Sequence, residues 1–258
     1  MILAIRRHGE TSAIVRAFAR DHGVVAGVVR GAYSKTQRGI MQLGNVVAAS
    51  WSARLPEQMG SFKFEPQQSY AALVMQREEK LAMLTSACAL LEQSLPERHP
   101  YPVLYDALLA FLGLLSEEDR HIALWQAYIR FELLMLAESG YGLDLTRCAA
   151  TGQTDDLLYV SPKSGRAVSR EAGEPYKDKL LKLPTFLCHP GEGRDPRQST
   201  GKNHGMDASL RWHDEQIADG LLLTSYFLEH WLLEPNGKKL PPARSRLQQI
   251  LYKTAESL

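Results

Sequence analysis

Apolar residues in the first 66 positions fall in short, β-branched runs, and from Tyr70 onward they recur every third or fourth position. This change of period constrains the fold more than any other feature, because period 2 belongs to strands and period 3.6 to helices. The runs before the change are Ile2 to Ile5, Ala13 to Arg20, Val24 to Arg30, Asn45 to Leu55 and Ser61 to Glu65, with Pro66 expected to end the last. The turn signal Asp21-His22-Gly23 between the second and third runs predicts a hairpin. Five short strands without an intervening helix suit a small closed or partly open barrel. The expected class is α+β: a barrel over residues 1–68, then a helical domain over 69–258.

The stretch Val24 to Gly39, VVAGVVRGAYSKTQRG, is a strand that delivers Arg30, Lys35 and Arg38 into a glycine-punctuated, mobile loop. Cations presented in this way suit contact with a phosphate backbone. Residues 1–70 hold nine lysines and arginines against four acids, a net of +5, and residues 71–140 carry a net of −5. The asymmetry suggests two units with different partners. Along the second run, Ile14, Arg16, Phe18 and Arg20 share one face. An aromatic between two arginines suits single-strand binding, but Val15, Ala17 and Ala19 form an equally good core face, and the pattern leaves both readings open.

Leu73, Leu81, Leu84, Cys88, Leu91 and Leu95 carry the helical period up to Pro96. A second helix is expected over Tyr101 to Leu115. Ser116-Glu117-Glu118-Asp119 reads as the cap and acidic first turn of a third, Glu117 to Ser139, ended by Gly140. Trp125 and Tyr128 are expected in its core. Residues 141–187 lose the period and read as a small irregular or β-ribbon insert. Residues 188–215 are dense in glycine, charge and histidine and read as a solvated, mobile loop, with helix resuming at Gln216 and a last short helix over Ala243 to Ala255. HPGEGRDP and MDASLRWHDE within that loop resemble translated interspersed palindromic repeats of some bacterial genes, which implies an inserted passenger.

Several function classes are excluded by what is missing. There is no Walker loop, G-x-G-x-x-G, G-x-S-x-G or HExxH, so no enzymatic activity is expected. Cys188, His189, His204 and His213 match no metal-ligand spacing. Three cysteines fit a reducing compartment, no apolar run reaches the roughly 20 residues that span a membrane, and MILAIRRHGE reverses the order of a signal peptide. A cytoplasmic location follows.

RRHGETSAIV, ARDHG, VVRGAYSK, QLGN, RFELLMLAESGYGLDLTRC, YVSPKSGRAVS and LKLP together resemble the bacterial recombination mediator and DNA-repair family RecO along almost the whole chain. The resemblance implies an N-terminal OB-fold and an α-helical domain embracing a zinc-finger-like insert. It implies binding of single- and double-stranded DNA, strand annealing, and a nucleoid location. Implied partners are the acidic C-terminal tail of single-stranded-DNA-binding protein, RecR and often RecF, in loading RecA. Candidate DNA contacts are Arg6, Arg7, Arg16, Arg20, Arg30, Lys35 and Arg38, and the candidate for the partner tail is Arg130, beside Tyr128 and Phe131. Many family members carry two Cys-x-x-Cys pairs in the insert. Here the first reads Cys148-Ala149-Ala150-Thr151 and the second aligns with Ser169 and Ala172, so neither metal nor cofactor is expected. Family chains usually have several more residues before the first strand, so a short first strand is expected. The alternative class is a non-enzymatic OB-fold adaptor for structured RNA or protein. A metal-dependent hydrolase would need bound metal.

Overall fold

The computed structural model describes residues 1–55, 58–117, 119–188 and 206–256. Contacts group them into two compact units, Met1–Glu118 with Leu240–Leu247, and Asp119–Lys239 with Gln248–Leu258. The strand-to-helix change at 68/69 lies inside the first unit.

The first unit opens with β1 (Ile2–His8), β2 (Ser12–Ala19), β3 (Gly23–Val29), β4 (Val46–Ser52) and β5 (Gly60–Gln68). They form one sheet in the order β1-β2-β3-β5-β4, antiparallel except for the parallel β3–β5 pair. The Ile2 N–H donates to Asn45 O at 3.0 Å and the Gly44 N–H to Ile2 O at 2.9 Å, so the residues entering β4 close the barrel against β1. Closure removes the exposed edges that an open sheet would present. This is the small barrel expected from the strand pattern, in the OB-type form that the resemblance implies. Ala13, Val15, Ala17, Val29, Val47, Phe62 and Phe64 fill the barrel, with the two phenylalanine rings stacked at 4.9 Å. β1 reaches His8, longer than expected. β5 continues through Pro66, because the ladder shifts register where Val46 faces Gln68 and Val47 faces Pro66. A bulge tolerates the missing N–H of proline.

Helices α1 (Tyr70–Val74), α2 (Glu78–Ser94) and α3 (Pro102–Glu117) complete this unit's main elements. Gly44, at φ +82, lies so close to α2 that an added Cβ would come within 2.5 Å of the Leu84 side chain. The QLGN turn therefore needs glycine for both backbone and space. Ser116 is not the cap of the next helix. Its hydroxyl donates to Gly113 O at 2.7 Å inside the last turn of α3, the back-bonding that competes with capping.

In the second unit α4 runs over His121–Glu138, starting later than expected. Trp125 and Tyr128 are fully buried, as expected for a helix apolar around much of its circumference. Gly140, at φ +87, ends it: Tyr141 N–H returns to Leu136 O at 2.8 Å and Gly140 N–H to Ala137 O at 3.0 Å. β6 (Leu157–Val160), β7 (Ala167–Ser169) and β8 (Leu181–Lys182) form a small sheet in the order β7-β6-β8, with α5 (Arg170–Gly173) and α6 (Thr185–Cys188) beside it. Three short strands thus lie within residues 141–187.

α7 spans Met206–Phe227, ten residues earlier than the expected resumption at Gln216. Residues 206–215 are therefore helix and not loop, and residues 189–205, with His189 and His204, lie outside the described residues. Ile217, Leu221, Leu223 and Phe227 are buried and Leu222 is exposed, so the apolar face of α7 passes through Leu223. Thr224 on this helix donates to the buried Glu132 of α4 at 2.5 Å. A buried carboxylate needs such a partner. The last described element is α8 (Pro242–Glu256). Among the described residues no helix is long and apolar enough to cross a membrane.

Candidate nucleic-acid interface

Three of the seven barrel cations are held by carboxylates of the helices that follow. Arg6 and Arg16 share Glu92 of α2, at 3.0 and 3.1 Å, and Arg16 also meets Glu97 at 3.6 Å. Arg20 forms a two-pronged pair with Asp106 of α3, Nε and Nη2 both at 2.9 Å. Hydrogen bonding to Asp106 pushes the Arg20 guanidinium up, and the same contact holds the Asp106 carboxyl below its ordinary value. The opposed charges of residues 1–70 and 71–140 thus belong partly to one folded unit, where they pair. They do not simply mark two units with separate partners, because Glu92, Glu97 and Asp106 fold back onto the barrel.

Phe18 resolves the ambiguity of β2 in favour of the core. It is wholly buried and packs edge-on against Tyr105 of α3, with ring centroids 5.3 Å apart. Both faces of β2 are covered, Ala13, Val15 and Ala17 by the barrel interior and Phe18 by α3, and this double cover is invisible to a period-2 argument. Phe18, Tyr105, Trp51 and Phe62 also line a cleft of about 680 Å³ in this unit, with Arg20 and Arg98 at its rim. The Arg98 guanidinium lies 5.4 Å from the centre of the Trp51 ring, whose indole N–H is spent on Ala26 O at 3.0 Å.

The other four cations differ. Arg7, Arg30, Lys35 and Arg38 are exposed and have no ion pair among the described residues. The ladder brings Arg7 opposite Ala13 and Ala13 opposite Val29, so Arg7 and the start of the Arg30–Gly44 loop share one end of the barrel. The loop is a series of hydrogen-bonded turns. Ser34 N–H bonds Gly31 O at 3.0 Å, Arg38 N–H bonds Ser34 O at 3.0 Å, and Met41 N–H bonds Gln37 O at 2.9 Å. Its far end is clamped by the buried Asn45, whose side-chain amide donates to Gly39 O and Ile40 O at 3.1 and 3.2 Å and whose carbonyl accepts the Ala71 N–H. Ala32, Ile40 and Met41 tuck into the barrel core. Tyr33 remains outside, 41% exposed, with the Arg7 guanidinium 5.7 Å from its ring centre. Sequence reasoning passed over this tyrosine, although an aromatic inside a glycine-bounded basic loop carries the same signal that Phe18 was given.

Arg130, on α4, donates to Phe186 O at 2.9 Å and lies 5.4 Å from the centre of the Phe186 ring. Burial pulls its guanidinium down. Tyr128 and Phe131 are core residues.

At the insert, the four positions at which the family resemblance would place ligands are Cys148, Thr151, Ser169 and Ala172. One thiol, two hydroxyls and a methyl do not fit a four-ligand zinc site. Among the described residues no group of three histidine, cysteine or acidic side chains is placed to hold a metal. Cys148 instead organises the turn by hydrogen bonds: Ser169 N–H meets its sulfur at 3.2 Å and the Ser169 hydroxyl at 3.4 Å, while Gly152 N–H bonds Cys148 O at 2.9 Å. Burial raises the thiol, but hydrogen bonds from Ser169 and Thr151 outweigh it and bring the group down to about 6. Burial pushes Cys88 up to about 12, against a backbone hydrogen bond with Gly44 and the N-terminal charge, and pushes the half-buried Cys188 up to about 11.

A folded value below the ordinary 9.0 means that Cys148 adds stability fully above pH 9 and loses it as pH falls through about 6. The expected result is a thiolate ultraviolet absorbance with a midpoint near pH 6 that Cys148→Ala abolishes. The stability gap between that variant and the parent should also narrow in acid. A first thiolate step appearing only in strong alkali would contradict the assignment.

Comparison with known proteins agrees with the fold. A family described as Recombination protein O N terminal matches residues 1–70, and one described as Recombination protein O C terminal matches residues 75–241. The chain is 42% identical over 249 residues to the DNA repair protein RecO of Rhodospirillum centenum, covering 95% of this chain and 90% of that protein. It is 42% identical over 253 residues to that of Rhodospirillum rubrum, covering 97% and 94%. It is 44% identical over 247 residues to that of Rhodopseudomonas palustris strain BisB18, covering 95% and 89%. With both halves matched in order and the barrel and helices where those halves require them, the chain belongs to the RecO family of DNA repair proteins.

Proposed function

We propose that the protein is a non-enzymatic DNA-binding recombination mediator that anneals complementary strands and helps to load RecA on DNA coated with single-strand-binding protein. The observation that carries this reading is the set Arg7, Arg30, Lys35 and Arg38, exposed at a pinned loop and free of ion pairs among the described residues. A preorganised row of cations binds a phosphate backbone by releasing counterions and reads no sequence. Arg6, Arg16 and Arg20 join the interface by exchanging a carboxylate for a phosphate. RecR, and often RecF, are the partners in this scheme, which operates at the cytoplasmic nucleoid. A gel assay with naked complementary strands tests it: annealing above the spontaneous rate is expected. Absent annealing with tight binding of structured RNA would favour the adaptor reading.

For the acidic tail of single-strand-binding protein the candidate remains Arg130, through the donors not used by Phe186. Arg130→Ala is expected to weaken binding of the free tail peptide about tenfold, the magnitude of one charge-assisted contact. Titration by calorimetry checks this, and unaltered affinity removes Arg130 from the site.

A further inference from the structure

We infer that Tyr33 is the stacking platform of this interface and takes an unpaired nucleobase of any identity. The inference rests on the DNA-binding reading and deepens it, because it makes the ligand a single strand instead of phosphate charge alone.

Four observations carry it. Phe18, the other aromatic among the barrel cations, is buried under α3 and unavailable to a base. Trp51 is half-buried, with its indole N–H on Ala26 O and the Arg98 guanidinium already over its ring. Tyr33 is the aromatic left in solvent on the cationic loop, although its neighbour Ala32 is buried and anchors the backbone beneath it. The Arg7 guanidinium sits over the Tyr33 ring, and its Nε–H is fixed to Gly9 O at 3.3 Å. A rigid backbone and a held ring lower the ordering cost of binding. An aromatic face beside phosphate-binding cations is the physical arrangement that single strands require, and every base has a π-face to offer. In a duplex the bases are already stacked, so the tyrosine gains nothing there.

The test compares the protein with Tyr33→Ala, Tyr33→Phe and the triple variant Arg30→Ala/Lys35→Ala/Arg38→Ala, using a mixed-sequence oligonucleotide containing 2-aminopurine and a blunt duplex of the same length. Tyr33 is exposed, and circular dichroism confirms that each variant is folded. Tyr33→Ala is expected to weaken single-strand binding about tenfold, to leave duplex binding within about twofold, and to abolish the change in 2-aminopurine fluorescence. Tyr33→Phe keeps the ring and should restore all three. Unchanged single-strand affinity and fluorescence in Tyr33→Ala would overturn the inference while leaving the cationic interface intact. If the triple variant binds as the parent does, or the parent binds no DNA, the underlying reading fails first.

Discussion

Replacing Arg30, Lys35 and Arg38 together by alanine is expected to cost about a hundredfold in affinity for single-stranded DNA at 0.1 M salt. Each phosphate contact on a single strand contributes about 0.7 to the slope of log affinity against log salt. Three lost contacts lower the slope by about two, and since the counterion term fades near 1 M salt, about two logarithmic units disappear at 0.1 M. The loss should be the same for all base compositions, because phosphates carry no sequence. Fold stability should hardly change: the three side chains are exposed, and the loop is pinned by backbone bonds and by Asn45, which the substitutions leave alone. Fluorescence anisotropy over a salt series reads both quantities. An unchanged slope would remove these residues from the interface.

Phe18→Ala should behave in the opposite way. It removes a fully buried ring and its edge-on contact with Tyr105, and substitutions of this kind cost about 3–5 kcal/mol. Chemical denaturation is expected to show that loss, while the molecules still folded bind single-stranded DNA within about twofold of the parent. A stacking platform would give the reverse result, with stability kept and affinity lost. Should the alanine variant not fold, Phe18→Leu keeps an apolar side chain in place and removes the ring, which leaves the comparison of affinity with stability available.

These two variants sit on residues that the sequence treated alike, and the difference shows what was legible. Strand count, the hairpin at Asp21-His22-Gly23, the change of period near Tyr70 and the stop at Gly140 all follow from local rules, and all appear in the structure. The fate of each arginine does not follow from local rules. Arg16, Arg20 and Arg30 look equivalent along the chain, yet Glu92 and Asp106, more than 70 residues away, reach the first two. Only tertiary folding decides which cations keep their charge for a partner. The cap misread at Ser116 has a similar origin: a serine before acids signals a helix start, but its hydroxyl turned back to Gly113. Tyr33 is legible as an aromatic inside a glycine-bounded basic loop, but alternation along β2 points instead to the phenylalanine of a strand.

At the insert, the single thiol explains how a turn survives without the four ligands. Hydrogen bonds from Ser169 and Thr151 converge on Cys148 and shift its titration downward, while β6, β7 and β8 supply the ladder. The stability of this ribbon is expected to vary with pH and not with chelators.

In the proposed function the barrel's cationic end holds DNA so that strands can be exchanged and joined. The most direct measurement is the annealing rate of complementary strands coated with the cognate single-strand-binding protein, with and without this protein. Clear acceleration by the parent is expected, with its loss in the Arg30/Lys35/Arg38 triple variant. Annealing no faster than with coated strands alone, from a folded parent protein, would contradict it.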